Sequence, residues 1–238
     1  GGSPVEPAKA HRMPLDSRLR GNDRMNGCID YRCLKYAINA NARFETQGIQ
    51  HMSTTPKLTA RQREFILSQH MFFVGTAPMV GGDDGHINIS PKGLAGSFAI
   101  LDDSNVAYLD FTGSGVETIA HIRENKRVCV MFCAFEGSPN ILRIHGKGRV
   151  VLPNDDAFEN MLQHFEVDPQ HVPGVRSIIC MTAQRINDSC GFGVPLYEYQ
   201  GQRTRLTEWV QKKGPEGVTD YQARKNITSL DGLPGLDF

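Results

Sequence analysis

Two apolar segments, "RVCVMFCAF" (127–135) and "ILRIHGKGRVV" (141–151), are separated only by "EGSPN" (136–140). Both are rich in β-branched and aromatic residues, and the link contains Gly and Pro. Five residues cannot carry a crossover helix, so the two segments must run antiparallel, side by side. The same grammar recurs along the chain. "MFFVGTAP" is a short β-type run halted by Pro78, and "HINIS" follows a turn at Gly81–Gly85. "VAYLDF" (106–111) and "RSIICMTAQRI" (176–186) complete the set. Most strands are joined by short turns, without a helix after each one. The expected fold is therefore mainly β (α+β), an antiparallel barrel with peripheral helices.

Those helices are legible too. "TARQREFILSQ" begins on a threonine cap and spaces its apolar residues helically. "DDAFENMLQHF" carries acidic residues in its first turn, where the helix dipole favours them. The tail holds "LTEWVQKKG", where Trp209 is expected to pack a helix, and a Gly/Pro-rich end.

Composition narrows the function. The formal net charge is zero, and residues 52–238 hold 18 basic against 21 acidic residues, which argues against nucleic acid as partner. No apolar run approaches the ~18 residues of a membrane span. The six cysteines include no Cys-x-x-Cys pair, and the scattered histidines suggest no fixed metal. Buried thiols at Cys129, Cys133 and Cys190, in a protein of the reducing cytoplasm, are the expectation. Residues 1–51 show no sustained apolar period and no signal-peptide core. They read as a disordered leader from an over-extended reading frame or an addition upstream of Met52, with 52–238 as the folded domain.

The chemistry concentrates in "DFTGSGVETIAHIREN" (110–125), where a strand passes a Gly-Ser-Gly turn into a helix. Ser114 and Glu117 have the spacing of a capping box, in which each side chain satisfies a backbone amide of the other's end. The same geometry can cradle a phosphate, since amides at a helix start point outward and glycine lets an anion approach. A dinucleotide fingerprint fits poorly: its third glycine is Thr118, and the following strands form a meander.

"HINISPKG", then "VAYLDFTGSGVETIAHIRENKRVCVMF", then "ILRIHGKGRVV" resembles the pyridoxamine 5′-phosphate oxidase-like family of FMN-binding split-barrel proteins. Thr112 and Asn125 fall on that family's threonine and asparagine without a gap. The resemblance implies a split β-barrel, non-covalent FMN at a homodimer interface, and oxidoreductase activity on an unidentified small molecule. It places Ser90, Pro91 and Lys92 along the flavin from one strand, with Thr112, Gly113 and Ser114 from the next and Thr118 near the phosphate. Lys92 is the expected cation, with Arg143 and Arg176 in support, because a phosphate needs charge-assisted donors.

The departures are specific. The family's phosphate-binding Arg-Lys pair falls on Glu117 and Thr118, so Glu117 is expected to turn back and cap the helix. "YQGQRTRLTEW" keeps Arg205-Leu206 of the oxidase pattern but has Thr207 and Trp209 where that pattern has His and Arg, which removes pyridoxamine phosphate as an assigned substrate. A haem-binding or haem-degrading barrel, with His145 as a ligand, is one alternative. A deazaflavin reductase and a non-catalytic flavin module are two others. No side chain is singled out as catalytic.

Overall fold

The computed structural model describes residues 55–238. The leader expected over residues 1–51 and the start at Met52 lie outside the described residues.

Thr59 opens α1 (Ala60–Leu67), and the expected cap is a full capping box in which Thr59 and Gln62 serve each other's backbone amides. Seven strands follow: β1 (Phe72–Thr76), β2 (Asn88–Lys92), β3 (Phe98–Ile100), β4 (Asn105–Phe111), β5 (Arg127–Cys133), β6 (Ile141–Val151) and β7 (Val175–Ser189). They form one antiparallel sheet in the order β2-β1-β5-β6-β7-β4-β3, curled into a split barrel. The β5–β6 hairpin pairs Val130 with Ile144 and Phe132 with Leu142, so alternate side chains from both strands enter the same interior. α2 (Glu117–Asn125), α3 (Phe158–Leu162) and α4 (Arg205–Lys225) are the other helices among the described residues.

The apolar interior falls into two clusters, the larger inside the barrel. Val74, Ile119, Leu142, Ile144 and Ile179 are inaccessible to solvent, and Phe72, Phe98, Tyr108 and Phe132 meet in edge and tilted ring contacts. α2 turns Ile119, Ala120 and Ile122 into this core. Gly148 on β6 makes room for it, since a Cβ there would lie 2.9 Å from Ile122 Cδ1. The helix stops at Lys126, which adopts φ 65°, and Asn125 fixes the exit by donating to Ala77 O and accepting from Arg127 N. Asn125 thus has a structural task of its own.

Four sequence expectations need correction. β3 was not anticipated, because three residues give no measurable alternation, and "VAYLDF" is consequently the fourth strand. The helix expected over 155–165 is confined to Phe158–Leu162: Asp155 instead accepts from Leu152 N in a turn. Of the thiols expected to be buried, Cys133 is, whereas Cys129 is only half-buried and Cys190 is exposed. The Ser114–Glu117 capping box does not form. Val116 occupies the N-cap position with no side-chain hydrogen bond, and the Glu117 carboxylate folds over Gly115, where a side chain would collide with it.

Candidate functional site

The site is built where β2, the end of β4 and the start of α2 converge. β4 delivers Asp110 into a fully buried position, at a register shift between Asp110 and Phe111 that bends the strand as it leaves the sheet. An isolated carboxylate there would be prohibitively costly, and two cations answer it. Arg176 of β7 approaches Asp110 Oδ2 with Nε at 2.8 Å, and Lys92 of β2 places Nζ 3.6 Å from Oδ1. Burial pushes the Asp110 carboxyl upward, but Arg176 and then Lys92 outweigh it and hold it below the usual carboxylate range. Arg176 also donates from Nη1 to Gly115 O at 2.6 Å. One guanidinium therefore ties the buried acid to the Gly-Ser-Gly turn.

The turn is braced from the far side by the end of the chain. Gln222 of α4 donates to Thr112 Oγ1 at 2.7 Å, and Asn226 Nδ2 donates to Gly113 O at 2.9 Å. Thr112 itself donates from its backbone and hydroxyl to Gly174 O. These contacts tie the C-terminal arm of the chain to the turn.

Behind β2 runs a polar network. Asn88 Nδ2 donates to Thr76 Oγ1 and to Thr118 Oγ1, and Asn88 Oδ1 accepts from Ser90 Oγ. Thr76 Oγ1 lies 3.0 Å from Nδ1 of the fully buried His121, whose Nε2 is 3.9 Å from Asp231 Oδ2. Burial pushes the His121 imidazole below its ordinary value, against the pull of Asp231, Glu117 and Glu124, so the ring is neutral at physiological pH. Burial, followed by the charge of Asp110, likewise pushes the Tyr108 phenol far up.

Two clefts open along this assembly. One, of about 590 Å³, includes Pro91, Lys92, Thr112, Tyr199, Arg203 and Arg205 in its walls. The other, of about 410 Å³, is lined by His86, Asn88, Ser114, Gly115, Glu117 and Leu230 among others. Of the expected site residues, Pro91, Lys92 and Thr112 gather at the first cleft, while Ser114 faces the second. Ser90 and Thr118 are joined through Asn88 between them, and Gly113 presents its carbonyl to Asn226. Thr118 is buried and engaged by Asn88. Arg143 donates to Ser189 and Arg176 is committed to Asp110, so neither is free to swing into a cleft. His145 is exposed on the outer face of β6, 4.0 Å from Cys129 Sγ.

Sequence reasoning missed Asp110, His86, Asn88, Gln222, Asn226 and Asp231. Only Asp110 carried a signal, as a charged residue next to the end of an otherwise largely apolar strand.

The family pattern described as pyridoxamine 5′-phosphate oxidase matches residues 58–190, from just before α1 to just beyond β7. The pyridoxamine 5′-phosphate oxidase family protein ustO of Aspergillus flavus is 40% identical over 193 residues, covering 75% of this chain and 76% of that protein. The chain belongs to the pyridoxamine 5′-phosphate oxidase family. Two solved structures show a more distant likeness. The FAD binding protein of Mycobacterium smegmatis is 17% identical, with a TM-score of 0.42 over 58% of this chain and 99% of its own. HupZ of Group A Streptococcus is 19% identical, with a TM-score of 0.42 over 59% and 99%. The pyridoxamine 5′-phosphate oxidase match ends at residue 190, so the bracing residues Gln222 and Asn226 and the acidic Asp231 lie beyond it.

Proposed function

We propose that this protein is an FMN-dependent oxidoreductase, acting as a homodimer on a small-molecule substrate in the cytoplasm. The observation that carries this reading is the pair of clefts at the two ends of β2. Asn88 and Lys92 are separated by about 13 Å at the usual rise per residue, so an elongated ligand lying along the strand would reach both. Ser114 suits its anionic end, and the open wall of Pro91, Thr112 and Tyr199 suits a flat ring. The fit extends to the buried groups: Asp110 Oδ1 has no hydrogen-bond partner among the described residues, and a ring polar atom bridging to Lys92 would share its environment.

Bound FMN would supply the electron-accepting and electron-donating ring. The chain's own contribution is position. Asp110 fixes Lys92 at the cleft wall, and Arg176 and Gln222 hold the turn from beneath and behind. The dimer is supported by β2, a sheet edge whose Ile89 is 69% exposed, with Ile87 just before the strand 74% exposed. An edge strand bearing apolar side chains is ordinarily covered by a partner.

The purified protein is expected to be yellow, to show flavin absorption, and to release FMN on denaturation. A colourless preparation that gains no bound absorbance when FMN is added would overturn the cofactor assignment. Light scattering that reports a monomer at every concentration would overturn the dimer.

A further inference from the structure

The smaller cleft contains one residue that can bring positive charge to an anion. Lys92 sits at the other cleft with Asp110, Arg176 is engaged with Asp110, and the Arg-Lys pair expected by family resemblance is Glu117 and Thr118 here. His86 lines the smaller cleft beside Asn88, Ser114 and Gly115. Its ring is oriented from behind, with Nδ1 2.7 Å from Asp231 Oδ1, and its backbone N–H also donates to the Asp231 carboxylate. That leaves Nε2–H as the outward donor of a charged ring.

We propose that His86, oriented by Asp231 of the C-terminal arm, is the cationic contact for the phosphate end of the ligand in this cleft, and that ligand retention therefore follows the protonation of His86. The inference rests on the flavin reading and names a regulation of the same site. Asp231 comes from the Ser229–Gly232 turn, which is closed by Gly232 N donating to Ser229 O, and the preceding Leu230 lines the cleft. The arm thus contributes a wall of the cleft and the carboxylate that orients its cation.

The charged groups facing His86 are Asp231 from the arm, Asp84 from the turn before β2, and Glu117 across the cleft. His121 sits behind Asp231 and is neutral. The hydrogen bond and charge of Asp231 raise the His86 imidazole above its ordinary value of 6.5. The contact is then fully present below pH 6.5 and is lost as pH rises through the higher folded value. A phosphate monoester has its second pKa near ~6, so its negative charge only grows as pH rises through that window, and its own titration runs opposite to the predicted loss.

The test compares FMN with riboflavin, which lacks the phosphate, by fluorescence quenching in the wild type, His86→Gln, His86→Arg and Asp231→Asn. In the wild type the preference for FMN should fall by about tenfold from pH 6.5 to 9, the scale of one charge-assisted hydrogen bond. His86→Gln should show the reduced preference at every pH, and His86→Arg should keep the full preference at pH 9. Asp231→Asn should move the loss to lower pH. Riboflavin affinity should be the same in all four proteins. A His86→Gln protein that keeps the wild-type preference and its pH dependence overturns the proposal. If the wild type binds neither flavin, the cofactor reading fails on its own. The cleft is then probed with inorganic phosphate: a shift of the His86 Nε2 resonance supports the site, and no shift in large phosphate excess overturns it.

Discussion

Replacing Asp110 with Asn changes one oxygen for one nitrogen and leaves the shape of the strand intact, so its cost isolates charge. Arg176 is 5% exposed and would remain buried without a counter-ion, keeping only its bond to Gly115 O. Lys92, at 21%, can relax toward the cleft. Leaving one member of a buried pair unanswered costs about 3–5 kcal/mol. For a domain of this size each kcal/mol moves Tm by about 2–4 °C, so Asp110→Asn should melt roughly 6–20 °C below the wild type. The pH dependence is a second signature. The Asp110 carboxyl is held below its ordinary value, so its stabilisation is present above that value of 3.8 and lost as pH falls through the lower folded one. The gap between the two proteins should therefore be widest near neutrality and close in strong acid. Thermal and urea unfolding from neutral to acid pH measure both. Pairing the change with Arg176→Met should recover part of the loss, because the stranded charge goes with it. Equal stability at neutral pH, or a gap that persists unchanged into strong acid, would refute the account of the triad.

Two other substitutions probe separate links. Gly146→Ala puts a Cβ against the backbone oxygen of Thr182, at the register shift after His145, where nothing flexible can yield. It should destabilise by about 1–3 kcal/mol or more in urea unfolding without altering flavin affinity, whereas flavin loss in a stable protein would contradict it. Glu117→Gln removes the carboxylate that shares the smaller cleft with Ser114. Two charges ~4 Å apart in water interact by about 1 kcal/mol, so FMN should bind roughly fivefold more tightly while riboflavin is unchanged.

The strands that were legible are those whose pairing is local. β5 and β6 are joined by seven residues, and their alternation marks both strands. The α1 cap is legible for the same reason, since Thr59 and Gln62 are three residues apart. Ser114 and Glu117 have the same spacing yet form no cap, because Val116 packs into the core and the helix begins after it. Burial decided that contest. The rest of the site was hidden by sequence separation. Asp110 and Arg176 are 66 residues apart, Thr112 and Gln222 are 110 apart, and His86 and Asp231 are 145 apart. Neither local pattern nor propensity reports contacts of that range; they emerge only when β7 lies beside β4 and α4 returns across the turn.

The brace from Gln222 and Asn226 has a consequence for the life of the chain. During synthesis the barrel strands leave the ribosome well before these two side chains do, so a nascent chain can close its sheet while Thr112 and Gly113 still lack their partners. The turn would then gain its brace only with the last helix. A proteolytic nick before Gln222 would loosen more than the turn, because Leu236 packs in the same core as Val116 and would be released with it.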